Sequence, residues 1–169
     1  MANTRYLENT MPVAPLKIIV LDNCKELGKQ VNNYLVNFRR SINQPHSKSP
    51  AFQGYVADNY MVDFSCPRFG SGEGKGILNE SVRGGDIFIM TDVMNHSLTY
   101  KLNNFVNHMS PDDHYQDLKR VIAAIAGKAH RINVIMPFLY ESRQHKRTGR
   151  ESLDSAVTLQ ELADMGVNN

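Results

Sequence analysis

The chain has 169 residues, of which 41% are apolar and 21% charged, enough to bury a core within one domain. Lys and Arg outnumber Asp and Glu by only 19 to 17, so the net charge of +2 argues against nucleic-acid binding through bulk electrostatics, and any anion site has to be local. Cys24 and Cys66 follow no disulfide or zinc spacing, and no apolar run approaches the roughly 18 residues of a membrane span; the expectation is a cytoplasmic protein with reduced thiols and no membrane anchor.

Residues 1–15 are polar and carry Pro12 and Pro15, which reads as a loosely held arm ahead of a domain spanning 16–169. The run Ile18-Ile19-Val20 predicts a strand over 17–21 buried on both faces. Asn23 with Glu26 reads as a capping pair, followed by Leu27, Val31, Leu35 and Phe38 at helical spacing. Between Arg39 and Gly54 no periodicity survives, and a loop excursion is expected. Tyr55 to Phe64 reads as a strand with one buried face. Short strands are expected at Ile77–Glu80 and Asp86–Met90, separated by the turn-prone Arg83-Gly84-Gly85. Asn95 to Met109 gives no clear pattern.

Ser110-Pro111-Asp112-Asp113 places a cap, a first-turn proline and two acids at a helix start, all of which suit the unpaired amides and dipole there. The buried face of that helix is Leu118, Val121, Ile122, Ile125 and Ala126, and Gly127 ends it. Ile132 to Met136 is a short apolar strand halted by Pro137. Beyond Arg150, Leu153, Val157, Leu159, Leu162, Ala163 and Met165 predict a last helix closed by Gly166. Strands alternating with helices make the fold α/β, with a mostly parallel sheet flanked by helices.

Two stretches carry chemistry. Arg68 to Gly76 is dense in glycine, yet it satisfies neither the Walker spacing nor the dinucleotide spacing. In an extended segment Phe69, Ser71 and Glu73 alternate onto one side, where a ring could stack on a base beside groups that bond its edge; a plain hairpin loop is the alternative. Arg143, Gln144, His145, Lys146, Arg147 and Arg150 follow a strand's carboxyl end and suit a polyphosphate; the alternatives are a solvated basic loop or a minor nucleic-acid patch. The histidines show no metal spacing, and no glycine-flanked nucleophilic serine is present.

Three segments together resemble the N-terminal half of ribose-phosphate pyrophosphokinase, also called phosphoribosyl pyrophosphate synthetase. Arg68-Phe69-Gly70-Ser71-Gly72-Glu73 is similar to that family's R-F-x-D-G-E, Glu80 to Asp86 to its E-S-V-R-G-x-D, and Val134 to Gln144 to its V-I-P-Y-x-x-Y-A-R-Q, with Arg150-Glu151 following. The likeness runs from about Leu16 to the C-terminus, except near 39–60 and 92–110. It implies a phosphoribosyltransferase-like α/β domain, the N-terminal half of a two-domain, homo-oligomeric transferase that makes phosphoribosyl pyrophosphate from ATP and ribose 5-phosphate with Mg²⁺.

By the same resemblance Phe69, Ser71 and Glu73 face adenine across a subunit interface, while Arg143, Gln144, His145 and Lys146 approach the phosphates. Ser81 and Arg83 fall to the loop scaffold or to a regulatory phosphate site. Ser71 and His145 stand where the family has Asp, and Lys146 where it has Arg. The family's metal-binding Asp-Leu-His segment and its D-D-x-x-x-T-G-G-T ribose-phosphate loop do not occur in the chain. The expectation is therefore a domain that contacts ATP and holds no catalytic or metal-binding residue of its own, inactive as a fragment. Alternatives are a non-catalytic, nucleotide-sensing homologue and, more remotely, an RNA-binding module.

Overall fold

The computed structural model describes residues 10–42 and 48–169, so residues 1–9 of the expected arm and 43–47 of the expected excursion lie outside it. Three parallel strands form the central sheet: β1 (Leu16–Val20), β4 (Asp86–Met90) and β7 (Arg131–Ile135), in the order β1-β4-β7. Their register aligns Ile18 with Phe88 and Phe88 with Asn133, so side chains of one parity share a face across all three strands. A short bridge from Met61 to Ile18 extends the sheet beyond β1. At the other edge Asn168 donates its backbone N–H to the Ile132 carbonyl, and Val134 donates to that of Asn169.

Helices cover both faces, as a parallel sheet requires. α1 (Lys25–Ser41) lies against Ile18 and Val20. α2 (Pro111–Ile125) covers the opposite face, where Leu118, Val121, Ile122 and Ile125 meet Ile19, Ile87, Ile89 and Ile132, and α3 (Asp154–Asp164) adds Leu162. Side chains buried this fully contribute about 1.5–3 kcal/mol each before ordering costs. The predicted α2 start is present in full: the Ser110 hydroxyl accepts from the Asp113 amide, and the Asp113 carboxylate accepts from the Ser110 amide. Two antiparallel pairs flank the sheet, β2 (Phe64–Ser65) with β3 (Ile77–Leu78) and β5 (Thr99–Leu102) with β6 (Phe105–His108).

Several local expectations fail for tertiary reasons. Asn23 caps no helix; it is buried in a 3-10 turn and bonds to the loop after β4, while α1 begins without a side-chain cap. The α1 face turns by one residue, so Gly28, Asn32 and Val36 are buried and Leu27 is exposed. Tyr55 to Val62 forms no strand beyond the Met61 bridge, because Tyr60 and Val62 are drawn into two different core clusters. The unassigned 95–109 segment is the β5–β6 hairpin, closed by Asn103 and Asn104 at φ 49° and 67°, the left-handed conformation that asparagine tolerates in a tight hairpin turn. Ala126 is exposed at φ 53° as the α2 C-cap, and Val157 and Leu159 of α3 are also exposed.

Candidate functional site

The carboxyl ends of the parallel strands lie along one edge, and the loops leaving them, 21–24, 91–98 and 136–153, form the crevice where open α/β sheets bind ligands. Asn23 ties the first two together. Its amide nitrogen donates to Thr91 Oγ1 at 3.0 Å, its Oδ1 accepts from the Asp92 amide at 3.1 Å, and its carbonyl accepts from Asn95 Nδ2 at 2.8 Å. His114 of α2 donates from Nε2 to the Asn95 carbonyl at 2.6 Å. The crevice floor is thus cross-linked to helices on both faces.

The glycine-rich segment forms a tight turn: the Phe69 amide donates to the Glu73 carbonyl, and the Gly72 amide to that of Phe69. Arg68 anchors it. Its guanidinium is buried and pairs through both terminal nitrogens with Asp117 of α2 at 2.9 Å, and Asp117 also accepts from Arg120 at 2.7 Å. The glycines serve this clamp. A Cβ on Gly74 would lie 2.3 Å from Arg68 Nη1 and 2.6 Å from Arg120 Nη1, and one on Gly76 would lie 2.6 Å from the Arg120 carbonyl oxygen. Gly72, at φ 91°, rests on Leu102 and Tyr100 of the β5–β6 hairpin.

Held this way, the loop turns Phe69 outward, 56% exposed. Ser71 and Glu73 are exposed beside it, and the serine hydroxyl donates to Glu73 Oε2 at 2.8 Å. Beneath the loop a cavity of about 280 Å³ is lined in part by Asn23, Lys25, Cys66, Arg68, Tyr100 and His114. Burial lifts the Asp117 carboxyl above its ordinary range, against the pull of Arg120 and Arg68. Burial, aided by Asp117, pushes the Cys66 thiol up to about 12.

The basic loop is built on a stacked pair of tyrosines. Tyr140 lies 4.4 Å from the Tyr115 ring at an interplanar angle of 10°, and its hydroxyl donates to Asp112 at 2.7 Å. Glu141 follows at φ 56°, and the Gln144 amide closes a turn onto its carbonyl. His145 hydrogen-bonds the Ser142 carbonyl through Nδ1. Arg143, His145, Lys146, Arg147 and Arg150 are exposed, and Gln144 is half-buried. Arg143 lines a cavity of about 230 Å³ with Val93, Pro111, Phe138 and Tyr140.

Arg68, next to Phe69, and Arg143 thus line two different cavities. No hydrogen bond or ion pair joins 68–74 to 137–150 among the described residues. Ser81 and Arg83 stand apart from both, in the turn before β4 at the amino edge of the sheet, with Val82 buried and the Gly84 amide bonded to the Lys128 carbonyl. Sequence reading missed Asp117 and Arg120. The available signal was a carboxylate directly beside core Leu118 on the apolar side of α2, with an arginine three residues on.

Among the described residues no group of three or more His, Cys, Asp or Glu could hold a metal ion. No helix among them is long and apolar enough to cross a membrane.

Residues 16–166 match the family model of the N-terminal domain of ribose phosphate pyrophosphokinase. Among solved structures the chain is similar to phosphoribosylpyrophosphate synthetase from Mycobacterium smegmatis, at 22% identity and a TM-score of 0.61, over 90% of this chain and 40% of that one. At that identity the likeness speaks for the fold, and the chain spans well under half of its structural relative. No curated protein matches.

Proposed function

The chain belongs to the family of ribose phosphate pyrophosphokinase N-terminal domains, and from that membership we propose that it is the ATP-contacting domain of a ribose-phosphate diphosphokinase. The observation that carries this reading is Phe69: an aromatic ring 56% exposed on a turn that a buried arginine pair holds in place. An aromatic ring held outward on a fixed turn has the form of a stacking surface for a base.

In this reading Phe69 stacks on adenine and Glu73 accepts from its amino group. Arg143 pairs its planar fork with phosphate oxygens, and the Gln144 side chain and Lys146 add donors. Among the described residues no hydrogen bond or ion pair joins the two sets, and a nucleotide touching both would lie between two copies of the chain, as the family resemblance implies for a homo-oligomer. In the parent reaction the C1 hydroxyl oxygen of ribose 5-phosphate bonds to the β-phosphorus as the bond to the α,β-bridging oxygen breaks, releasing AMP. This domain's part is to position and neutralise the triphosphate, the dominant requirement in phosphoryl transfer. The Mg²⁺ that such a reaction uses finds no ligand set among the described residues.

Calorimetric titration with ATP tests the proposal. Arg143→Ala removes a charged hydrogen-bonding group worth about 1.5–3 kcal/mol, so affinity falls about 10- to 150-fold; unchanged affinity defeats the assignment. One observation favours a second reading, a nucleotide-sensing homologue without catalysis: the Ser71 hydroxyl already engages Glu73. AMP release on mixing the parent protein with ATP, ribose 5-phosphate and Mg²⁺ separates the two, and its absence selects the sensor.

A further inference from the structure

The Arg68–Asp117–Arg120 cluster has the geometry of a device for setting a loop. Among the described residues Asp117 is the carboxylate in direct contact with two guanidiniums, at 2.9 Å and 2.7 Å. The Arg68 and Asp117 side chains are both 9% exposed, so neither can exchange its partner for water. Asp113 stands farther off, at 3.9 Å from Arg68. On the loop side, Gly74 and Gly76 admit the two arginines closely against the backbone. From the flank, the Tyr100 ring lies 5.4 Å from the Arg68 guanidinium carbon, and a Cβ on Gly72 would lie 3.3 Å from Leu102 Cδ1. Arg68 directly precedes Phe69, so its side-chain position fixes where that ring emerges.

We propose that Asp117 is a positioning residue for nucleobase recognition: it holds Arg68 and thereby sets the Phe69–Glu73 turn, without itself touching the nucleotide. This rests on the reading in which Phe69 and Glu73 meet adenine. Neutralising Asp117 leaves the Arg68 and Arg120 guanidiniums side by side with only Asp113, at 3.9 Å from Arg68, as counter-charge, and the more mobile element yields. That element is the turn, since α2 is fixed by Leu118 and Val121, both fully buried. The basic loop is held separately, through Tyr140 on Tyr115 and Asp112, and should keep its shape.

The test compares ATP with inorganic tripolyphosphate, which carries the phosphates and lacks the base, by calorimetry on wild type, Asp117→Asn and Asp117→Glu. Asp117→Asn is expected to weaken ATP about tenfold or more and to leave tripolyphosphate within about twofold, and Asp117→Glu to restore most of the ATP affinity. Equal ATP affinity in wild type and Asp117→Asn overturns the positioning role. So does an equal loss for both ligands, which marks general structural damage. Failure of wild type to bind ATP at all overturns the nucleotide reading itself, a distinct result. If Asp117→Asn does not fold, Arg120→Gln replaces it: about threefold weaker ATP with unchanged tripolyphosphate supports the role, and parallel or absent change refutes it.

Discussion

Replacing Gly76 by alanine tests whether the glycine-rich segment is shaped by close packing on α2. The new methyl carbon would lie 2.6 Å from the Arg120 carbonyl oxygen, 2.7 Å from its carbon and 3.1 Å from its Cβ. The first two atoms belong to the backbone of a fifteen-residue helix whose inner face is fully buried, so they cannot retreat as a side-chain tip would. Overpacking of this kind costs about 1–3 kcal/mol. At about 2–4 °C per kcal/mol for a chain of this size, a cost near 2 kcal/mol lowers Tm by roughly 4–8 °C. Gly70 is the control: a Cβ there meets no heavy atom within 4 Å, and its φ lies outside the left-handed region, so Gly70→Ala should stay within about 0.5 kcal/mol of wild type. Thermal unfolding followed by circular dichroism decides the matter. Equal Tm values for the two variants would refute the packing account.

Leu118→Ala empties the centre of the α2 face, where Leu118 is 0% exposed, and should cost about 2–5 kcal/mol in guanidinium unfolding, seen as a lower midpoint at unchanged slope. Tyr115 and Tyr140 are raised above the ordinary 10.0, first by burial and then by Glu161 and Asp112 respectively. A raised folded-state pKa gives stability that is complete below the unfolded value and lost above it, so the protein should weaken as pH climbs past about 10, less steeply in Tyr140→Phe; a pH-independent midpoint in that range contradicts this. Cys66, pushed up to about 12 from 9.0, should alkylate at pH 8 on the order of 10³ times more slowly in the native protein than in denaturant, read by mass spectrometry. Asn104→Gly should raise Tm slightly, since φ 67° suits glycine better and the hairpin is retained.

Elements with strong local signals were legible in the sequence. The Ile-rich runs of β1, β4 and β7 and the Ser110-Pro111-Asp112-Asp113 start of α2 carry their own instructions, and the α/β class follows from their order. Where tertiary partners decide, local reading failed. Asn23 has the chemistry of a cap, yet Thr91, 68 positions away, claims its side chain. Tyr60 and Val62 alternate like a strand but serve different clusters, which separates them from a regular ladder. The asparagine pair at 103 and 104 was a readable hairpin signal between polar strands, and it went unused because those strands bury almost nothing. The candidate site divides likewise: Phe69, Glu73 and Arg143 stood out in the sequence as base- and phosphate-facing candidates and the resemblance added ATP, while the Arg68–Asp117 pair, 49 residues apart in sequence, is visible only in three dimensions.

Ser71 shows how the proposed site would differ from the family pattern it resembles. An aspartate at that position would place a second carboxylate beside Glu73, and mutual repulsion would turn both toward an incoming amino group. Serine instead donates to Glu73 Oε2 at 2.8 Å. If the proposed site binds adenine, it would lack one charged acceptor, about 1.5–3 kcal/mol, or roughly 10- to 150-fold in affinity. The basic loop keeps Arg143 and Lys146 exposed, open to the phosphates in the proposed reading. With base recognition weakened and phosphate recognition largely retained, discrimination among nucleobases should fall further than affinity for the triphosphate, and Ser71→Asp should restore preference for ATP over GTP while leaving tripolyphosphate binding unchanged.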